Sequence, residues 1–171
     1  MVGGVQPAHT FTGTGSGWRR GWLAFEEYQL VHDRYMEVVY RDGFIESVAL
    51  TFTRLLAADG SVRQVVLEGI VHCADDVAIE VTKFMDVRVV DERLEVVSTY
   101  YRYHAWRPGR QGEPLIRYDQ GHGDLQPHYH RFDNHGELLR YDELTFEEMP
   151  RLDAVIREAV DLARERDLES S

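Results

Sequence analysis

The feature that most constrains the fold is a series of strand-length segments in the middle of the chain, separated by short turn signals. Two of these signals read Arg41-Asp42-Gly43 and Ala58-Asp59-Gly60-Ser61. Strands that follow one another through such turns pair as antiparallel neighbours. The sequence therefore predicts an antiparallel meander, with strands at residues 35–40, 44–56, 62–73, 77–90, 94–106, 115–118, 128–133 and 138–141.

Helical periodicity marks both ends of this β-rich region. From Leu152 to Ala163 the apolar residues recur at i, i+3, i+4, i+7 and i+8, which places them on one side of a helix. Thr145 with Glu148 resembles a capping box, and Pro150 falls where a first helical turn tolerates it. Apolar spacing also predicts a helix from residue 18 to about residue 33. The predicted fold class is α+β, an antiparallel meander β-sheet with a C-terminal helix packed on one face and an N-terminal helix.

Composition narrows the class of protein. The chain has 171 residues, a net charge of −11 and one cysteine, and no apolar run approaches the ~20 residues that cross a bilayer. Residues 1–17 contain five glycines and are predicted to be a disordered tail, which leaves 18–171 as a single α+β domain. Because a secretory signal pattern is missing, we expect a cytoplasmic protein that does not engage a membrane. The acidity argues against non-specific DNA binding and suits a basic protein partner.

The stretch YDQGHGDLQPHYHRFD concentrates residues suited to chemistry near neutral pH. It contains Asp119, His122, His128 and His130, with Asp124 close by. Its glycines and proline predict a loop, and the alternation that follows predicts a strand. On such a strand His128 and His130 share one face about 7 Å apart. Both imidazoles could then reach one substrate, one phosphate or one metal ion.

A basic and aromatic segment comes just before that stretch. Residues 99–118 hold four arginines against one acid, a local charge of +3, together with four tyrosines and one tryptophan. Arginine contacts phosphate, and aromatic rings stack on the bases of single-stranded RNA. The predicted substrate-binding residues are Arg102, Tyr103, Arg117 and Asp124.

These two stretches together predict a small ribonuclease. One imidazole takes a proton from the 2′-hydroxyl, another donates a proton to the leaving oxygen, and an arginine stabilises the phosphorane. Histidine suits both proton roles because its ordinary pKa is about 6.5. The predicted catalytic residues are His128, His130, His122 and Asp119, with Asp119 orienting a histidine.

Other interpretations of the same residues stay open. The aromatic residues could serve as packing surface, and the histidines could be a chance cluster in a loop. His128, His130 and either His122 or Asp119 could bind a divalent metal such as zinc, iron or manganese, although an H-x-H pair alone is a weak signal. The chain could instead be a non-enzymatic module whose acidic surface binds a basic protein. A homodimer through a free sheet edge is a further expectation.

The order of these motifs resembles that of the TumE-type toxins of bacterial toxin–antitoxin modules. The resemblance rests on YRY at 101–103, RYDQGHGD at 117–124, HYH at 128–130 and the C-terminal helix, and it covers roughly residues 99–160. It implies a cytoplasmic toxin that a cognate antitoxin keeps inactive. It also implies that Asp119, His128 and His130 matter most, supported by Arg102 and Asp124. The RNA chemistry is inferred from the residues themselves, not from the family.

Overall fold

The computed structural model describes residues 21–120 and 126–170, so the predicted tail at residues 1–17 lies outside the described residues. Within these ranges the chain forms eight β-strands, two α-helices and two 3-10 turns. The strands and α-helices are, in chain order, β1 Leu23–Ala24, α1 Phe25–Arg41, β2 Ile45–Leu56, β3 Val62–Cys73, β4 Val77–Val90, β5 Arg93–Arg107, β6 Glu113–Gln120, β7 Pro127–Phe132, β8 Leu138–Glu143 and α2 Leu152–Glu169.

Strands β2 to β8 form one antiparallel sheet in which each strand pairs with the next strand in sequence. The two-residue β1 pairs with the first part of β5. This topology confirms the predicted α+β fold with an antiparallel meander, an N-terminal helix and a C-terminal helix. Neither described helix combines the length and the apolar character needed to cross a bilayer.

Helix α1 lies further along the chain than predicted. It ends at Arg41 and therefore includes residues 35–40, which the sequence predicts as a strand. The tyrosines and valines of that segment favour strands by residue type, but the apolar period of the segment remains helical. That period is visible in the buried positions of α1, which are Phe25, Tyr28, His32, Tyr35, Met36 and Val39.

The signal Arg41-Asp42-Gly43 ends α1 instead of turning a hairpin. The N–H of Gly43 donates to the carbonyl of Tyr40, and the N–H of Phe44 donates to the carbonyl of Val39, each at 3.0 Å. Gly43 has a φ of +78°, the left-handed conformation that glycine adopts without strain. This is the Schellman arrangement that commonly ends a helix, so the chain leaves α1 directly into β2.

Helix α2 begins at Leu152, where its predicted apolar pattern begins, but the predicted capping box lies in a separate turn before it. The capping box of Thr145 and Glu148 is present, and the N–H of Thr145 donates to Oε2 of Glu148 at 2.6 Å. This box closes the 3-10 turn Phe146–Glu148, whereas α2 begins at Leu152 with Arg151 as its N-cap residue. Pro150 lies two residues before Leu152, near the first turn of the helix.

Both helices contact the same face of the sheet, which we call the covered face. Tyr118 of β6 and Tyr129 of β7 each donate a hydrogen bond at 2.7 Å to Glu158 of α2. Lys83 of β4 donates a hydrogen bond to the hydroxyl of Tyr28 in α1 at 2.5 Å. The alternate residues of the same strands point the other way. We call that side, which neither α1 nor α2 covers, the open face.

Candidate functional site

The sheet register aligns three predicted site residues across the open face. Arg102 of β5 lies opposite Asp119 of β6, and Asp119 lies opposite His128 of β7. Residues directly opposite one another in an antiparallel pair lie on the same face with Cβ atoms about 5 Å apart. We call these three residues the first row.

A second row lies two residues along each strand. Glu80 of β4 is opposite His104 of β5, and His104 is opposite Arg117 of β6. Arg117 in turn is opposite His130 of β7, which is opposite Tyr141 of β8. The two rows together form what we call the open-face cluster.

The imidazoles of His128 and His130 are stacked on each other. Their ring centroids are 4.9 Å apart and their planes are inclined by 30°. The rings are closer than the about 7 Å between alternate strand positions, and both pack against Tyr141 at centroid distances of 5.6 and 5.2 Å. Nδ1 of His128 lies 3.1 Å from the carbonyl oxygen of Gln126. A proton on Nδ1 satisfies that carbonyl, and Nε2 is then the ring nitrogen left for a substrate.

Asp119 is the buried acid of the cluster, with 7% of its surface exposed. It forms an ion pair with Arg117, and it accepts a hydrogen bond from the hydroxyl of Tyr100 at 3.4 Å. Among the described residues these are the side-chain partners of Asp119, and neither is a histidine. Asp119 therefore positions Arg117, whereas the sequence predicts that Asp119 orients an imidazole.

The two arginines of the cluster are both paired with carboxylates. Arg117 pairs with Asp119, and Arg102 lies 3.4 Å from Glu80. Nε of Arg102, Nε of Arg117 and Nε2 of His130 are buried without a hydrogen-bond partner among the described residues. Because guanidinium groups bind carboxylates and phosphates with the same geometry, a phosphate would compete with Glu80 and Asp119 for these cations.

Burial lowers the pKa of the His130 imidazole below its ordinary value, His128 and Arg117 lower this pKa further, and Asp119 raises it. The pKa of His104 is also lowered, first by burial and then by Arg117. Both imidazoles are therefore mainly neutral at pH 7 and can accept a proton.

The structure brings together five of the predicted site residues and separates a sixth from them. The five are Arg102, Arg117, Asp119, His128 and His130.

Tyr103, predicted to bind substrate, is instead buried on the covered face with 0% exposure. Consecutive strand residues face opposite sides, so Tyr103 must point away from the face that Arg102 occupies. His122 and Asp124 lie outside the described residues.

Sequence reasoning missed three members of the rows, Glu80, His104 and Tyr141, and also Tyr100, whose hydroxyl bonds to Asp119; the place of Tyr141 depends on the register between β7 and β8. His104 is two residues from Arg102, so the alternation of β5 was a signal that could have placed it on the open face. Tyr100 precedes Arg102 by two residues and carries the same signal. Glu80 has no local signal, because its place beside Arg102 depends on the register between β4 and β5.

The predicted metal site is not formed by the described residues alone. Across residues 21–120 and 126–170, no three His, Cys, Asp or Glu side chains are grouped to hold a metal ion. His128 and His130 are adjacent; of their two predicted third ligands, Asp119 is paired with Arg117 and is not grouped with them, and His122 is outside those ranges.

No protein-family model, curated protein or solved structure matches this chain. The resemblance to the TumE-type toxins therefore stays a prediction. The function is argued below from the open-face cluster.

Proposed function

We propose that the open-face cluster cleaves single-stranded RNA by histidine acid–base chemistry, and that the chain is a toxin of the TumE type restrained by a cognate antitoxin. The observation that supports this most is the stacked pair of His128 and His130 next to Arg102 and Arg117 on one sheet face. All four side chains are partly exposed. The resemblance to the toxin family supports only the biological setting.

In the proposed reaction His130 is the general base, because its pKa is lowered and its imidazole is neutral. It takes the proton of the 2′-hydroxyl while the 2′-oxygen bonds to phosphorus and the bond from phosphorus to the 5′-oxygen breaks. His128, in its protonated form, gives its proton to the departing 5′-oxygen. The products are a 2′,3′-cyclic phosphate and a 5′-hydroxyl. The two rings are stacked, so one imidazole lies beside the entering 2′-oxygen and the other beside the leaving 5′-oxygen. The line that joins these two oxygens therefore runs along the stacking direction.

The arginines stabilise the negative charge that builds up on the phosphorane. Arg117 is the nearer of the two, since it lies directly opposite His130 in the sheet. Asp119 holds Arg117 in place before the substrate binds, and the phosphate oxygens then compete for the same guanidinium. Preorganised charge of this kind is a large contributor to catalysis.

Cleavage of a labelled single-stranded RNA by the purified chain, with and without a metal chelator, tests the reaction. His130→Ala should lower the rate by about a hundredfold or more, the usual contribution of a positioned general base. His72→Ala is the matched control, because His72 is exposed on β3 and lies outside both rows. An RNA with 2′-O-methyl groups should resist cleavage. If RNA stays intact under all conditions, the nuclease proposal is removed.

Growth of bacteria after controlled induction tests the toxin role separately. The wild-type chain should arrest growth, and an equally soluble His128→Ala/His130→Ala double variant should not. A cognate antitoxin, generally encoded beside such a toxin, should co-purify with the chain in a fixed ratio. Arrest by the double variant would show that these histidines do not carry the toxicity.

One observation favours a second candidate, a module that binds a basic protein. Both arginines of the cluster are neutralised by Glu80 and Asp119, and the chain has a net charge of −11. Such a face attracts cations as well as phosphate. Titration with a short single-stranded RNA and with an oligo-lysine peptide separates the two candidates. Salt-sensitive binding of the peptide alone would favour the protein-binding module.

A further inference from the structure

The two edges of the sheet differ in how well they are protected against pairing with another strand. At one edge β2 has 12 residues and only two charged ones, Glu46 and Arg54. At the other edge β8 has 6 residues, and three of them are charged, Arg140, Asp142 and Glu143. Short length and charge discourage edge-to-edge pairing, whereas a long and weakly charged strand favours it. Of these two edges, β2 is the unprotected one.

Three apolar side chains of β2 are also exposed to solvent. Val48, Leu55 and Leu56 are 47%, 42% and 62% exposed. In the described part of the chain β3 is the one strand that pairs with β2, so the backbone groups on its other side have no strand partner there. The pairing with β3 is irregular only near the two ends of β2, which leaves residues 47–55 regular and free to pair on the outer side.

The two charges of β2 are arranged symmetrically about Leu50. In an antiparallel pair of two β2 strands centred on Leu50, Glu46 of each copy comes next to Arg54 of the other, at the β-bulge between Ile45 and Ser47 that bounds the regular segment. A slip by two residues, the smallest that keeps both covered faces on one side, would place Glu46 opposite Phe52 or Leu56 and lose both ion pairs. In the centred register Val48 also faces Phe52, so apolar residues meet apolar residues.

Both charged side chains are exposed and available for such pairing. Neither takes part in the salt bridges found among the described residues. The guanidinium of Arg54 lies 5.1 Å from the ring centroid of Phe25, a contact that leaves its N–H groups able to bond in the plane.

We infer that β2 is a dimer interface and that its occupant is a second copy of the chain, paired antiparallel in the register centred on Leu50. The interface is isologous, with the same residues contributed by each copy. Backbone hydrogen bonds supply its strength, and the two Glu46–Arg54 pairs select its register.

This pairing has a consequence for the open-face cluster. Leu50 of one copy faces Leu50 of the other across a two-fold axis perpendicular to the sheet. Both covered faces therefore lie on one side of the dimer, and both open faces lie on the other. Nine strand spacings separate β6 of one copy from β6 of the other, about 40 Å in a flat sheet. The dimer therefore presents two clusters to the same side.

Sedimentation equilibrium of the full-length chain at several concentrations tests the interface. The wild type should reach twice the monomer mass. Glu46→Arg and Arg54→Glu should each raise the dissociation constant by about tenfold or more, because each change turns two attractive pairs into repulsive ones. The double reversal Glu46→Arg/Arg54→Glu should restore the wild-type constant. Arg140→Glu, a charge reversal on the opposite edge, is the matched control and should leave it unchanged.

A cysteine at the two-fold axis tests the register independently. Leu50→Cys should form a disulfide between copies under mild oxidation, because the two introduced thiols face each other, whereas Glu46→Cys should not. The native Cys73 is buried and should stay reduced. A wild type that remains monomeric at every concentration overturns the inference. So does a dimer that resists both single reversals, or one that the Leu50→Cys substitution does not cross-link.

Discussion

The same residue types have different roles on the two faces of the sheet. On β5, Tyr100, Arg102 and His104 point to the open face, whereas Tyr101 and Tyr103 point to the covered face and are 1% and 0% exposed. The open-face groups are partly exposed to water, and Arg102 forms an ion pair with Glu80. The covered-face groups have lost water and contribute through packing. Residue type therefore indicates a role only once the face is known.

The covered face has its own polar cluster beneath α1. The amine of Lys83, 1% exposed, lies 4.8 Å from the ring centroid of Tyr101 and 5.2 Å from that of Tyr28. Nearby in α1, Nδ1 of His32 lies 2.7 Å from the hydroxyl of Tyr35. If this cluster is structural and the open-face cluster is functional, substitutions should separate stability from activity.

The largest effect on stability is expected from the neighbouring tyrosines at positions 100 and 101. Tyr101→Ala should lower the free energy of unfolding by about 3–5 kcal/mol, because it empties a buried aromatic site. Tyr100→Ala should cost about 1 kcal/mol, since Tyr100 is partly exposed. Urea denaturation of both variants measures the difference. Equal losses would contradict the assignment of the two faces.

The fold was largely predictable because its strongest signals are local. The turn signal at residues 58–61 made β2 and β3 antiparallel neighbours, and the bounds of β3 and β4 match the prediction. The prediction failed at residues 35–40, where strand-favouring residue types concealed a helical period. The capping box predicted at Thr145 and Glu148 is confirmed, but it belongs to a 3-10 turn before α2. A capping box shows that a helical element starts nearby, but it does not show whether that element is a 3-10 turn or the α-helix that follows.

The candidate site was predictable only in part, because it combines alternation with register. Alternation alone placed His128 and His130 on one face. The same rule, applied to β5, would have added His104 and excluded Tyr103. The alignment of Asp119 between Arg102 and His128 depends on how three strands pair, which a single sequence does not specify.

The next largest effect concerns His32 on the covered face. Burial, and then the charge of Lys83, lower the pKa of His32 to about 3. The unfolded chain therefore binds a proton near pH 6.5 that the folded chain does not bind until about pH 3, so stability falls as the pH drops through this window. Between pH 6.5 and pH 4.5 the contribution of His32 to this loss should be about 2–3 kcal/mol. His32→Phe should flatten this part of a pH series of urea midpoints; an unchanged slope would place the titrating group elsewhere.

A smaller effect, with the same direction of pH dependence as that of His32, is expected at Lys83. Burial lowers the pKa of Lys83 well below its ordinary value. Stability is then lost as the pH falls below about 10, where an unfolded lysine takes up its proton. Lys83→Met keeps the length of the side chain without the amine, and it should raise the free energy of unfolding at pH 7 by about 1–2 kcal/mol. The gain in stability of Lys83→Met over the wild type should shrink toward pH 10. If Lys83→Met is less stable than the wild type at both pH 7 and pH 10, the contacts of the amine outweigh the cost of its desolvation.

The smallest effect on stability, but the sharpest test of the open face, concerns His130. His130→Ala should change the free energy of unfolding by less than about 1 kcal/mol while removing activity. The titration midpoint of its imidazole, followed by NMR, should lie below 6.5 because burial lowers its pKa and His128 and Arg117 lower it further. Arg117→Met should raise that midpoint, and Asp119→Asn should lower it, because Asp119 favours the protonated ring.

These opposite shifts distinguish a coupled cluster from separate surface histidines. His72→Ala, outside both rows, is the matched control and should leave the His130 midpoint unchanged. If the Arg117 and Asp119 variants shift the midpoint in the same direction, the charges of the two rows do not act on His130 as the structure indicates. If neither variant shifts it, solvent screens these charges. The open face would then resemble an ordinary solvated surface, and its contrast with the covered face would lose its functional meaning.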